Sequence, residues 1–357
     1  MTKKIVQLVS VAAALAALLW LLGRIGWSTI AGALHSVGVP GSLVLCALGL
    51  AETILDGAAL CAVVGPRLRV SHAVAVNSAG STLNLILPWE SGEILKTGLM
   101  RGYFGSQPAI SGTLIWNYIF KLSRPAVSAS TAALAVILCP QASASTIAIV
   151  CAANALAFLP YLILRFVIRF GATEKAVKLI ALLPGLHRPS HHWLDLARNI
   201  DREMRQFGQE RRTAYLKVFC YQAVARMTGW WSIYAGFKLT HLPYGFAQAT
   251  LVYATMNVAE YVIAILPARI GVCEGTAFFV FKFLGLEPTF GLILYLVLRI
   301  RTVLVNGVLT PLAFLRWDRS TMDPAAAAPP APAPASTPAR AASPAGLGIE
   351  TPDRRVC

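Results

Sequence analysis

Apolar residues in this chain neither alternate with polar ones, as a half-buried strand requires, nor keep to one face of a helix; they run on. Runs near the roughly 20 residues that cross a bilayer as a helix recur. They lie at 5–22, 41–64, 109–139, 145–165, 214–236 and 289–315. Hydrocarbon offers the backbone no hydrogen bonds, so only helices and closed barrels span it, and the missing alternation argues against a barrel. The pattern predicts an all-α, polytopic membrane bundle. Two stretches depart from it. In residues 169–213, Trp193, Leu196, Ile200, Met204 and Phe207 recur at helical spacing opposite Arg198, Arg202, Arg205 and Asp201, which predicts a basic amphipathic helix suited to an anionic leaflet surface. From Asp323 the Pro/Ala-rich "DPAAAAPPAPAPASTPARAASPAG" cannot build a core, so the membrane domain is expected to span 1–320, with 321–357 a disordered tail.

Composition agrees with a lipid solvent: 56% hydrophobic, 13% charged, mean hydropathy +0.63. The net charge of +15 would suggest nucleic acid in a soluble protein. Here the bases gather at the ends of apolar runs, which reads instead as orientation. Lys3 and Lys4, Arg67 and Arg69, Lys96 and Arg101, the stretch from Arg165 to Arg212, and Arg316 and Arg319 share one face, expected to be cytoplasmic with both termini. Arg24, Lys238 and Lys282 fall on the other. "MTKK" before an apolar stretch resembles a secretory signal, but no small-x-small site precedes "GRIGW", so an uncleaved helix is expected. Cys46, Cys61, Cys139, Cys151, Cys220 and Cys273 lie in or beside apolar runs and read as small core residues; terminal Cys357 closes no lipidation box. His187, His191, His192 and Asp195 match no familiar metal spacing and read as a solvated loop.

The chain repeats itself. "NSAGSTLNLILPWESGEILKTGLMRGYFG" (77–105) and "NVAEYVIAILPARIGVCEGTAFFVFKFLG" (257–285) each have an early Asn and an apolar run ending in Leu-Pro. Each continues with a Gly four residues after that proline, a Glu soon after, and a second arm closing at Gly. A long helix with two bases follows each copy: Lys121 and Arg124, then Arg299 and Arg301. The two repeats cover about 77–139 and 257–315. Arms this short predict re-entrant hairpins whose broken tips face a protein-lined or watery cavity. The charge bias opens them to opposite sides, an inverted pair of the kind that marks a transporter's central site.

Proline breaks each helix, glycine permits the turn, and the second arm starts with its free N–H groups and positive dipole end in the cavity. The candidate binding set is Asn84, Pro88, Glu90, Gly92, Glu93, Lys121, Arg124, Arg269, Gly271, Glu274, Arg299 and Arg301. In one reading Glu93 pairs with Lys121 or Arg124, and Glu274 with Arg299 or Arg301, as fixed structural ion pairs. In the other, the bases draw in an anionic head group, and Glu93 and Glu274 compete for them when the site is empty. Glu52 and Asp56, one turn apart, are expected to be structural partners of the surplus bases. Arg226 lies mid-span ahead of Trp230 and Trp231, which read as interfacial anchors.

"LPWESGEILKTGLMR", "LPARIGVCEGTAFFVFKFLGL" and "LRIRTVLVNGVLTPLAFLRW" resemble signature regions of the flippase-like integral membrane family named after the transmembrane region of lysylphosphatidylglycerol synthase. The second is particularly similar to its hopanoid-biosynthesis-associated branch. The resemblance covers about residues 5–318. It implies a multi-pass protein of the bacterial inner membrane that moves or handles lipid, with no energy-coupling ATPase in the chain. The synthases add a separate soluble domain; nothing after Arg319 can fold into one, so lipid synthesis is not carried over. Lys96 fills the place of the base that follows Gly-Glu in the family, whereas "WES" departs from its pattern.

No hydrolase elbow, phosphate loop, zinc-protease or dinucleotide motif occurs, so an enzyme is not expected and no cofactor or metal is implied. The expected partner is a membrane phospholipid or other anionic lipid, with no nucleic acid. Two alternatives stand beside the translocase: a membrane-embedded head-group transferase using the buried carboxylates, and a non-transporting scaffold that recruits a soluble lipid- or glycan-modifying enzyme through 169–213.

Overall fold

The computed structural model describes residues 27–65, 68–86, 91–139, 143–169, 191–263 and 272–315, a few at helix ends by backbone alone. Among them every regular element is a helix. In chain order these are α1 Trp27–Val64, α2 Val70–Ile86, α3 Ser91–Phe104, α4 Ser106–Leu138, α5 Ala144–Leu156 and α6 Leu159–Arg169. They continue with α7 His191–Glu210, α8 Arg212–Leu239, α9 Phe246–Ile263, α10 Val272–Phe283 and α11 Pro288–Leu315. Val37–Val64, Ala144–Phe166 and Pro288–Leu312 are long and apolar enough to cross a membrane. The first begins where α1 bends at Gly38 (φ 68°), just ahead of Pro40. The span expected at 145–165 is two short helices joined by a turn at Ala157 and Phe158. The expected first span, 5–22, lies outside the described residues, as does the tail.

Both repeats appear as a pair of short helices followed by a long one. In the first, α2 has 17 residues and α3 has 14; in the second, α9 has 18 and α10 has 12. At 1.5 Å per residue the second arms reach only about 21 and 18 Å, less than the hydrocarbon thickness. The glycine that closes each copy adopts the left-handed conformation few other residues tolerate, φ 84° at Gly105 and 71° at Gly285. That turn delivers the chain into α4 or α11.

Each half has its own apolar core. Leu60 and Val63 of α1, Ala75 and Ala79 of α2, Leu99 and Met100 of α3, and Trp116 and Ile119 of α4 form one. Phe237 of α8, Val252 and Met256 of α9, Phe281 of α10 and Leu294 of α11 form the other. The long helices cross between halves: α4 packs on α9 and α11 on α2.

Three expectations change. The apolar stripe of α7 does not face a leaflet, because Ile200, Met204 and Phe207 are buried in the first core and Gln107 Nε2 donates to Glu203 Oε1 at 2.6 Å. A stripe at helical spacing serves protein or lipid equally well, and here protein covers it. Cys151 and Cys220 are exposed rather than in the core. A bundle's outer surface in lipid is as apolar as its interior, so hydropathy does not separate the two. Trp230 is buried in the second core while its neighbour Trp231 is exposed, so only the latter is free to act as an anchor.

Candidate functional site

A cavity of about 400 Å³ lies between the two cores, bordered by α1–α4 and α8–α11. Six bases line it: Lys96, Lys121, Arg124, Arg226, Arg299 and Arg301. Four acids join them: Glu52, Asp56, Glu93 and Glu260. Removing one such charge from water costs several kcal/mol, so a group this dense persists only by pairing.

Most of the pairing follows one line. Lys96 Nζ donates to Glu93 Oε1 at 2.9 Å and lies 3.9 Å over the Trp116 ring. Asp56 accepts from Arg226, whose other terminal nitrogen is 3.3 Å from Glu52 Oε1. Glu52 Oε2 accepts from Arg301 Nη2 at 3.2 Å, and Arg301 Nη1 donates to Ser232 Oγ at 2.6 Å. Asp56, Arg226, Glu52 and Arg301 thus alternate in sign from α1 through α8 to α11, with the Glu93–Lys96 pair of α3 lining the same cavity. Glu52 and Asp56 can each serve this line because a spacing of four puts both on one face of α1. A second group lies between α4 and α9, where Arg124 Nε donates to Asn257 Oδ1 at 3.1 Å and a terminal nitrogen pairs with Glu260. Aromatic faces back the cations; the Arg226 guanidinium is 5.0 Å from the Phe120 ring centre.

Backbone contact between α2 and α3 makes room for this. Asn84 Oδ1 accepts from the Gly92 N–H at 2.6 Å and so satisfies a donor at the start of α3. A side chain at Gly92 would overlap the Gly80 carbonyl and Asn84. The close approach turns Glu93 and Lys96, one turn apart, into the cavity. Between α2 and α11, Ser78 Oγ donates to Asn306 Oδ1 at 3.0 Å, and the Thr82 and Thr310 hydroxyls are 2.7 Å apart.

The structure brings Asn84, Glu93, Lys121, Arg124, Arg299 and Arg301 to this one cavity, with Gly92 beside Asn84. Pro88, Glu90, Arg269 and Gly271 lie outside the described residues, and Glu274 is placed only by its backbone on α10. The expected Glu93 pairing is corrected. Its partner is Lys96 on its own helix, and Arg124 reaches across to Glu260 instead. Lys96, expected among the surface charges, is 2% exposed, because α3 turns that face inward. Arg101, five residues on, does stay exposed. Glu260 was missed, although an acid three residues after Asn257 in an apolar helix is a readable signal. Asn77 and Asn306, both buried on the cavity wall, carried none. Among the described residues no group of His, Cys, Asp and Glu could hold a metal ion.

The family model for the lysylphosphatidylglycerol synthase TM region matches residues 7–309. No curated protein and no solved structure matches the chain.

Proposed function

Because this chain belongs to the lysylphosphatidylglycerol synthase TM region family, we propose that it is a translocase that passes an anionic phospholipid head group through the charged cavity between its halves. The family ties it to the membrane and to lipid metabolism. The reading beyond that rests on one observation: ten charged side chains, six basic and four acidic, line a single cavity between two apolar cores. Buried charge at this density is expensive and, where it lines a path, marks the route of a charged ligand. The head group exchanges its hydration for Lys121, Arg124, Arg299 and Arg301, while Glu93 and Glu260 hold cations when no ligand is present. The acyl chains stay in lipid, along outer faces such as those bearing Ile137, Ile149 and Val308, all exposed.

The two short-armed pairs act as inverted re-entrant hairpins with their breaks at the cavity, and rocking of one repeat on the other alternates access between leaflets. The setting is the bacterial inner membrane, crossed several times, with both termini cytoplasmic. Placement in the hopanoid-associated branch belongs to this proposal and is supported by the second signature alone.

The test is lipid movement in vesicles that hold the purified full chain and a trace of fluorescent phosphatidylglycerol, read by quenching the outer leaflet. Exchange well above protein-free vesicles is expected. Arg299→Gln and Arg124→Gln each slow it by about tenfold, the effect of losing about 1.4 kcal/mol at the head group. Exchange no faster than in protein-free vesicles sinks the reading. A change in the mass of the added lipid would instead identify a transferase.

A further inference from the structure

Among the described residues that line the cavity, the polar atoms left over by the ion pairs divide by wall. On α1, α2 and α3 they are acceptors: Asp56 Oδ1, Asn77 Oδ1 and Glu93 Oε2 are buried and meet no donor within the protein, although the second oxygen of each carboxylate is paired. On α8 and α11 they are donors. The Nε–H groups of Arg226 and Arg301 are buried and meet no acceptor, although the terminal nitrogens of both side chains are engaged. Asn77 is 2% exposed, so its amide is committed to this wall. The two walls adjoin, because Arg226 of α8 holds both Asp56 and Glu52 of α1, and a group of a few atoms reaches from one to the other. A buried polar group without a partner costs free energy, so leftover donors beside leftover acceptors define what a visitor has to carry.

We infer that the head group this cavity takes is the phosphodiester of a polyol such as glycerol, held at both ends. The guanidinium groups of Arg226 and Arg301 take the phosphate, and Asp56, Asn77 and Glu93 take the free hydroxyls. The inference rests on the translocase reading and names its substrate class. An ionised phosphodiester offers only acceptors, so it suits the guanidinium groups and gives the leftover carboxylate oxygens nothing. An O–H group supplies what those oxygens lack, and its lone pairs remain for N–H donors. An ammonium group would also donate to the carboxylates, but charge disfavours it. Among the described residues six bases against four acids line the cavity, and Lys96, Lys121 and Arg124 of α3 and α4 are among them. Hydroxyls donate without adding charge.

A site with buried acceptors discriminates strongly, because an analogue without the hydroxyl leaves them unpaired. Phosphatidylmethanol has the same phosphodiester and the same single negative charge as phosphatidylglycerol but no hydroxyl. Only the donors separate the two lipids. Of the three acceptor side chains, Glu93 and Asn77 are the ones to alter. Glu93 pairs with one base within its own helix, whereas Asp56 is held to Arg226, and its loss would strand a buried cation between helices. Glu93→Gln keeps the shape and an oxygen for Lys96 while turning the leftover acceptor into a donor. Asn77→Leu removes the amide at similar volume.

The experiment uses the vesicles described above, with a trace of phosphatidylglycerol, phosphatidylmethanol or phosphatidylethanolamine, each labelled on an acyl chain. Phosphatidylglycerol is expected to exchange about tenfold faster than either of the others. Exchange of none of the three overturns the translocase reading and this inference with it. Phosphatidylmethanol that keeps pace with phosphatidylglycerol overturns the inference and leaves the translocase reading intact, since water then serves the acceptors as well as a hydroxyl does. Phosphatidylethanolamine that matches or outruns phosphatidylglycerol assigns the acceptors to an amine and overturns the polyol. In protein that elutes as the parent does, Glu93→Gln and Asn77→Leu are each expected to lower the ratio of phosphatidylglycerol to phosphatidylmethanol rates by about threefold or more. A merely structural role slows both lipids alike and leaves that ratio where it was. A ratio unchanged in both variants overturns the assignment to these side chains. The parent protein's own ratio decides the polyol reading even if neither variant folds.

Discussion

Lys96 reaches the cavity through space that only glycine leaves: a Cβ on Gly80 would stand 2.5 Å from its Cε and Cγ. At Gly92 the obstacle is backbone, which does not swing aside. Gly98, on the same helix, has nothing within 4 Å. Gly92→Ala is therefore expected to lower stability by about 1–3 kcal/mol through overpacking, and Gly98→Ala to leave it unchanged. Thermal unfolding in detergent reads both, and equal melting temperatures would contradict the α2–α3 contact. The Glu93–Lys96 pair makes a second prediction at this scale. Lys96→Met alone strands a buried carboxylate and is expected to cost about 3–5 kcal/mol, most of which Glu93→Gln in the same chain restores. Additive losses would mean that the two side chains do not meet. The bases on the long helices could be read from the sequence, since charge inside an apolar run stands out. Their partners could not. Arg226 meets Asp56 across 170 residues and Arg301 meets Glu52 across 249, and no local pattern chooses among distant acids.

Helices α4 and α11 make the seams between repeats, each leaning on the first arm of the other repeat. Arg124 joins α4 to α9, while Ser78 and Thr82 join α2 to Asn306 and Thr310 of α11. The hydroxyls of Thr82 and Thr310 are close enough that cysteines at both positions, in a chain otherwise free of cysteine, are expected to form a disulfide under mild oxidation. A gel shift reads the bond. If the repeats rock on this seam, lipid exchange stops on oxidation and returns on reduction; exchange that continues through the crosslink would rule the motion out. At this scale the sequence was most legible. The repeat announced matching short helices closed by Gly105 and Gly285, each followed by a long helix, and the structure has them. The misread element was α7, whose sequence period reports that one face is covered without saying by what.

Over the whole molecule, apolar side chains face both inward and outward, as they must where the solvent is lipid. Ile149 and Leu156 on α5, Leu216 and Val224 on α8, and Val308 on α11 are all exposed. Cys151 and Cys220 share those outer faces. Cys151 lies about 10 Å and Cys220 about 12 Å along its helix from the N-terminal end. In vesicles both are expected to react with a lipid-soluble maleimide and to resist a charged, water-soluble one. Rapid labelling by the charged reagent would place those faces in water. The membrane class was plain from hydropathy, whereas the division into two cores around charge depended on pairings that only the folded chain reveals. The α2–α11 seam also bears on how the protein is made. The polar edge of α2 leaves the ribosome early, yet its partner comes from the last helix described, more than two hundred residues later. Until then Thr82 Oγ1 has the Ser78 carbonyl of its own helix to bond, at 3.0 Å, while the Ser78 hydroxyl waits for Asn306. A chain cut short before α11 would retain that uncovered edge, a mark by which quality-control proteases could recognise unfinished copies.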